Sequence, residues 1–436
     1  MASDHPSIAV AMEDDPQPLE AATLLSPSSS GPSFNSSSSP SSSTSTPSIT
    51  SPWAAGLLIS AEVVGTGILA LPFFCSVITK PWGLSYLALN IGVNYYAGAR
   101  LTQAASIVEQ RHHVPPILDL LELSQLTTLP NLTLTIYYTN LILVMGSYLL
   151  TISTSFSSLL YPLTVPSSIL TFLIVSILVA LSLRLNSMAK LGKAPTYVSI
   201  TTILVVVLLS LIGAKTTADQ PPPTAISPFQ IPGSLSGISF AVSSQKLLLN
   251  VRKSMDSSSK LKINEALFVA LAMYGLFYVI TILVAPSTVP PLLLNVLKDG
   301  SLMKRIAGLL LSVHLVISFT INNQCLCHSF SNKFNVPSSK VAFATCFFVW
   351  AVSNGIPFFE DLTSLIGALT TVPLTLALPV LYAMEAEQSD WNGLHGRMAK
   401  LIVFVSVIIT VSGVLSSFWK INKDWTTTTT TANNYK

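Results

Sequence analysis

Long apolar runs separated by short polar breaks organise most of the chain. A helix rises about 1.5 Å per residue and the hydrocarbon core of a bilayer is about 30 Å thick, so about 20 mainly apolar residues make one crossing. Eleven stretches meet or approach that length, near 53–78, 83–106, 134–158, 166–184, 195–213, 234–250, 265–285, 302–326, 340–354, 361–384 and 399–419, the sixth and ninth being short. The pattern predicts an all-α membrane protein with about 11 transmembrane helices over 53–419 and a short non-cytoplasmic tail over 420–436. Between the second and third runs, Pro115 to Leu126 interleaves leucine and isoleucine with Asp119 and Glu122. That pattern fits an amphipathic helix at the membrane interface and equally an ordinary loop helix.

The start of the chain reads differently. From Ser26 to Pro52 it is almost entirely Ser, Thr and Pro, a composition too poor in apolar surface to offset the entropy of ordering it. Residues 1–52 are therefore expected to be a disordered cytoplasmic tail. Its Ser-Pro and Thr-Pro steps, at Ser26, Ser39, Thr46 and Ser51, suit phosphorylation as well as a plain solvated linker. Glu20, Leu24 and Leu25 have the spacing of an acidic dileucine sorting signal, which would be read by a sorting adaptor and tilts the expected location towards a vacuolar or lysosomal membrane, with the plasma membrane as the alternative. No lysine or arginine occurs in the first fifty residues, so the chain lacks the basic opening of a secretory signal, and insertion falls to the first apolar run.

Composition agrees with a bilayer. Half of the 436 residues are apolar and 9% are charged, too few to cover a soluble protein of this size. A net charge of +3 spread between apolar runs excludes a nucleic-acid footprint. Cys75, Cys325, Cys327 and Cys346 all lie in or beside apolar runs, where cysteine acts as a small hydrophobe. With the N-terminus inside, the inner loops collect Arg100, Arg111, Arg184, Lys190, Lys193, Arg252, Lys253, Lys260 and Lys262 among others, which satisfies the positive-inside bias. The glycosylation patterns at Asn35 and Asn131 then face the cytoplasm and are expected to stay unused.

The first apolar run holds the most distinctive chemistry. Gly65, Gly67 and Pro72 fall at mid-membrane depth, and a broken helix there leaves backbone groups unsatisfied unless they line a cavity or meet a ligand. A packing notch for a neighbouring helix is the alternative. Gly65-Thr66-Gly67-Ile68-Leu69-Ala70-Leu71-Pro72 resembles the first-helix signature of the amino acid/auxin permease family, G-x-G-(I/L/V)-L-x-L-P. Gly237-Ile238-Ser239-Phe240 through Gln245 to Met255 is similar to that family's sixth helix and the loop after it, Leu315 to Phe319 to its eighth, and Asp361 to Ala368 to its tenth. The resemblance covers roughly 53–419. It implies a LeuT-like fold of 5+5 inverted repeats plus one helix, and a secondary active transporter of amino acids by alternating access around unwound helices one and six. It also implies substrate-binding roles for Gly65, Thr66 and Gly67 at the carboxylate and for Ser239, Phe240 and Ser243 on the opposing wall. A half-helix N-terminus suits a carboxylate and unwound carbonyls suit an ammonium.

Two charges belong to the same region. Glu62 lies inside the first run and Lys246 on the sixth, where family members often carry proline. An intramembrane carboxylate is a functional candidate by default, so the pair is assigned to gating or proton coupling, against separate snorkelling of each side chain to water. Sodium-coupled relatives place asparagine four residues before the first glycine of the signature, whereas this chain has Ala61, which tilts the coupling ion from sodium to the proton. Asn322, Asn323 and Gln324 with His314 would build a further polar site or act as glue between helices. Cys325-Leu326-Cys327-His328 lacks a fourth ligand for zinc, so no metal and no cofactor is expected. No nucleophile elbow, phosphate loop or zinc-protease helix occurs, so the chain is expected not to be an enzyme. An amino acid sensor signalling through the cytoplasmic tail is the rival reading.

Overall fold

The computed structural model describes residues 51–117, 119–161, 163, 165–184, 194–216, 227–255, 262–388 and 392–434. The dileucine pattern at Glu20, Leu24 and Leu25 and all of the expected tail but Ser51 and Pro52 lie outside them. Pro52 opens α1 (Pro52–Val63), where a missing N–H costs nothing and the fixed φ suits the first turn. The remaining α-helices are α2 (Thr66–Val77), α3 (Lys80–His112), α4 (Leu120–Gln125), α5 (Pro130–Leu160), α6 (Ser167–Arg184), α7 (Ala194–Thr216), α8 (Ile231–Ala241), α9 (Gln245–Ser254), α10 (Ile263–Val284), α11 (Leu302–Phe334), α12 (Ser338–Gly355), α13 (Phe359–Ile366), α14 (Leu378–Glu387) and α15 (Leu394–Asn434). All eleven stretches expected from hydropathy are thus helical.

Seven helical segments among the described residues are long and apolar enough to cross a membrane, and the bent pair α1–α2 makes an eighth. The other expected crossings fall short for visible reasons. α3 carries Asn90, Asn94, Arg100 and Gln103, the 18 residues of α12 include polar ends at Ser338, Ser339, Lys340, Ser353 and Asn354, and α8 and α9 are halves of one broken helix. Lipid-facing surface is plain on the outer helices: Ile169, Phe172 and Ile177 of α6, Phe268 and Leu276 of α10, Phe343 and Phe347 of α12 and Phe404 and Leu415 of α15 are all exposed. A soluble protein would not present so continuous an apolar belt, whereas a bilayer leaves it in place at no cost.

Two segments gain detail from the structure. The segment 115–126 condenses to the six-residue α4, capped by the Asp119 carboxylate, which accepts from the Glu122 N–H at 2.9 Å. Leu120, Leu121 and Leu123 are buried against the protein instead of lying in the interface. The C-terminal tail is a continuation of α15, which runs to Asn434, and Lys420 is anchored by Glu360, Asp361 and Asp424 at 2.9, 2.7 and 3.0 Å.

Packing places the broken helices at the centre. α1 lies on α10, α2 on α8, α11 between α5 and α7, and α13 and α15 both against α8. Each set of five long helical stretches therefore opens with an interrupted helix, α1–α2 and α8–α9. Between α13 and α14 the chain forms two π-helical turns, Gly367–Thr371 and Pro373–Ala377. Pro373 has no N–H to complete an α-helical bond, which permits the wider turn. Gly367 lets this helix approach the Ser236 carbonyl of α8 so closely that a Cβ would collide with it.

Candidate functional site

The first break is built by two residues. Val64 closes α1 with ψ 77°, and Gly65 starts α2 at φ −115° and ψ −138° with no side chain capping the new helix. The segments on either side are bent by 69°. The second break follows Ala241, where Val242 leaves helical geometry and Ser243 and Ser244 link to α9. The two breaks meet. A Cβ on Gly67 would lie 2.8 Å from Ala241 Cα and 2.9 Å from its Cβ, so only glycine allows this approach of α2 to α8. The Tyr278 hydroxyl of α10 lies 2.8 Å from the Ala241 carbonyl oxygen and 3.3 Å from that of Val63, joining the carbonyl ends of α8 and α1.

A cavity of about 160 Å³ lies beside these breaks. Its helical-break wall consists of Val63, Gly65, Thr66, Gly67, Phe240, Ala241 and Ser243, with Lys246, Leu247 and Asn250 of α9 below. The facing wall comes from Tyr137, Leu141, Val144 and Tyr148 of α5 and Ile321, Asn322 and Cys325 of α11. The volume is below the roughly 300–1,000 Å³ of pockets for drug-sized ligands, which suits a small solute. Thr66 Oγ1 is buried without a hydrogen-bond partner, and Gly65, Thr66 and Gly67, the uncapped start of α2, all line the cavity, where a helix start carries partial positive charge. Lys246 is the charged lining residue among those described, and its ammonium donates to Asn140 Oδ1 at 2.8 Å, while Asn140 donates to Thr370 Oγ1 of the π-helical turn at 2.7 Å.

The structure brings together Gly65, Thr66, Gly67, Phe240, Ser243 and Lys246, as the sequence suggested. Ser239 is the exception. One turn before Ser243, it faces α3, where its hydroxyl lies 2.8 Å from Tyr86 Oη and accepts from Asn90 Nδ2 at 2.7 Å. Asn90 then accepts from Asn94 Nδ2 at 2.5 Å, and Gln245 Nε2 donates to Asn94 Oδ1 at 2.9 Å. This ladder ties α8 and α9 to α3 across the break, so Ser239 belongs to the support of the site and not to its lining. Glu62 is helical in α1, but its side chain lies outside the described residues, and a contact with Lys246 is not among the described ones.

The polar run on α11 divides its work. Asn323 donates to the Ser182 hydroxyl and Gln324 to the Ser182 carbonyl at 3.2 Å, both on α6, which makes them helix–helix contacts. Asn322 donates to the Ser318 carbonyl at 2.8 Å and lines the cavity. Cys325 also lines it, 3.3 Å from the Tyr137 hydroxyl, while Cys327 is buried near Asn323 and His328 is exposed, so the Cys-x-Cys-His run does not converge. Sequence reasoning missed the α5 wall. Tyr137, Leu141, Val144 and Tyr148 follow a helical stripe of spacing four, three and four, a signal present but shared by every apolar helix of the chain.

The family model described as "Transmembrane amino acid transporter protein" matches residues 48–422. No curated protein sequence matches the chain. Among solved structures, the crystal structure of MhsT in complex with L-phenylalanine is similar at 13% identity with a TM-score of 0.55, covering 85% of this chain and 99% of that one. The manganese transporter of Eremococcus coleocola, solved with an aromatic bis-isothiourea compound, is 14% identical with a TM-score of 0.48, covering 84% of this chain and 86% of that one. The likeness to MhsT is one of fold, the LeuT-like arrangement of broken helices.

Proposed function

Because the chain belongs to the transmembrane amino acid transporter protein family, we propose that this integral membrane protein is a secondary active transporter moving amino acids by alternating access around α1–α2 and α8–α9, driven by protons. The observation that carries the reading is the convergence of two interrupted helices on one small cavity, with an unpartnered hydroxyl on Thr66 and the uncapped start of α2 facing it. Such an N-terminus attracts a carboxylate, and carbonyl ends attract an ammonium, so a zwitterion satisfies both where a purely apolar or purely cationic solute satisfies one. Gly65, Thr66 and Gly67 hold the carboxylate, Ser243 and the end of α8 hold the ammonium, and Phe240 with the α5–α11 wall receives the side chain. Ser239 acts behind the site through the α3 ladder.

Lys246 gates the inner side of the cavity through Asn140, with Glu62 as its acidic counterpart. Alanine at position 61 offers a sodium ion no side-chain oxygen, which favours the proton as coupling ion. The dileucine pattern at Glu20, Leu24 and Leu25 directs the protein to a vacuolar or lysosomal membrane through a sorting adaptor.

Uptake of a panel of radiolabelled amino acids into proteoliposomes, under a proton gradient and then a sodium gradient, tests the function. Saturable uptake is expected under the proton gradient. Thr66→Val, which keeps the side chain's shape, is expected to weaken uptake at low substrate by about 10- to 150-fold, the equivalent of a lost hydrogen bond to a charged group worth about 1.5–3 kcal/mol. Amino acid binding without flux under either gradient would replace the transporter with a sensor.

A further inference from the structure

His314 sits in α11, 1% exposed, with its imidazole engaged on one side only. Nδ1 lies 3.1 Å from the Ser199 carbonyl oxygen and 2.7 Å from the Ser199 hydroxyl, both on α7. A carbonyl can only accept, so we assign the ring hydrogen to Nδ1, which leaves Nε2 its lone pair. Nε2 is buried and has no hydrogen-bond partner. It faces the break in the first helix: for a Cβ on Gly65 it would be the nearest neighbouring atom, at 3.8 Å. The Thr66 hydroxyl, one residue on, is the other unpartnered polar atom of this stretch.

An acceptor buried without a donor costs about 1–3 kcal/mol, so an idle imidazole nitrogen at the moving part of a transporter needs an occupant. The surroundings select which one. α7 presents Ser199, and α5 and α9 place Tyr137, Tyr148 and Lys246 on the cavity; Glu62 of α1 is the titratable group nearest in sequence to the break. α6 and α12, which also pack on α11, bring no charged group to the ring, and among the described residues no charged side chain acts on it. An imidazole nitrogen with no carboxylate among the described residues acting on it is a poor site for a hard metal cation and a good one for a proton.

We propose that Nε2 of His314 binds the proton that drives transport. This rests on the reading of the protein as a proton-driven transporter. A proton from the aqueous side adds to the Nε2 lone pair and converts an idle acceptor into a donor beside the break at Gly65. A donor on α11 next to the break then exists in the protonated state alone. Substrate held at Gly65–Gly67 changes the geometry of the same backbone, so by linkage substrate and proton alter each other's affinity.

The test compares wild type, His314→Gln and Glu62→Gln in proteoliposomes. One pH unit of gradient corresponds to about tenfold accumulation of a solute moved with one proton. Wild type is expected to approach that ratio. H314Q is expected to fall to a ratio of about one while still exchanging substrate in counterflow, which needs no gradient. H314Q accumulating like wild type overturns the assignment, as does E62Q alone losing the drive. Wild type that transports but ignores the proton gradient overturns this inference and leaves the transporter reading intact, whereas wild type without flux removes both. Should H314Q fail in counterflow, Ser199→Ala is read instead, since it keeps the ring and the carbonyl but drops one hydrogen bond. Its uptake midpoint is then expected to move by about 0.4–1 pH unit, and an unmoved midpoint overturns the proposal.

Discussion

Replacing Tyr278 by phenylalanine removes one oxygen atom and leaves the ring in place. That oxygen lies 2.8 Å from the Ala241 carbonyl and 3.3 Å from the Val63 carbonyl, at the ends of the two half-helices that meet at the cavity. Tyr278 is fully buried and Ala241 is 2% exposed, so water does not replace the lost donor. A buried carbonyl stripped of its partner costs about 1–3 kcal/mol, equivalent to a roughly 5- to 150-fold shift in an equilibrium that depends on it. Tyr274 supplies the control. Its ring centroid is 5.4 Å from that of Tyr278, yet its hydroxyl ties no half-helix carbonyl and faces only the Ser244 hydroxyl, outside good hydrogen-bond geometry. Tyr274→Phe therefore removes a desolvated polar group and is expected to be neutral or slightly stabilising. Melting of the purified protein in detergent, with and without amino acid, together with the substrate dissociation constant, reads both effects. Tyr278→Phe is expected to melt lower and bind substrate more weakly, because the backbone that forms the site loses its tie. If Tyr278→Phe and Tyr274→Phe behave alike, the tie between the two breaks has no energetic weight.

Two further substitutions probe the same architecture. Gly67→Ala pushes a methyl group to within 2.8 Å of Ala241 Cα and is expected to destabilise by about 1–3 kcal/mol, whereas Gly65→Ala meets nothing nearer than His314 Nε2 at 3.8 Å and is expected to melt close to wild type; thermal unfolding distinguishes them. Lys420→Met leaves Glu360, Asp361 and Asp424 without the ammonium that all three contact, Asp361 being fully buried, and is expected to cost about 3–5 kcal/mol, seen as loss of monodisperse protein in size-exclusion chromatography.

Hydropathy located every long helix because a bilayer admits little else, and the Gly65–Gly67 pair marked the first break because glycine and nearby proline weaken a helix where it cannot be repaired by water. The second break was not visible in the residues themselves. Ala241-Val242-Ser243-Ser244 contains neither glycine nor proline, and only the likeness to a family suggested unwinding there. Ser239 came with Ser243 through the same likeness, and in the fold the bend after Ala241 turns Ser243 into the cavity while Ser239 stays against Tyr86 and Asn90. The short α4 and the long α15 were blurred because their ends depend on caps and neighbours, not on hydrophobic period. Tyr137 and Tyr148 were hidden by being ordinary: a stripe on an apolar helix does not announce which partner, lipid or cavity, it will face.

The close approach of α2 to α8 at Gly67 and Ala241 also says where this cavity can be remodelled. One wall is backbone packed on backbone, and its dimensions are set by a glycine with no spare room. The opposite wall is made of side chains on α5 and α11, whose main chains can stay put while their contents are exchanged. Drift in sequence, or deliberate redesign, therefore has one adjustable surface: enlarging Val144 or trimming Tyr148 reshapes the space without disturbing the hinge, while the same volume added across the way would pry the two broken helices apart.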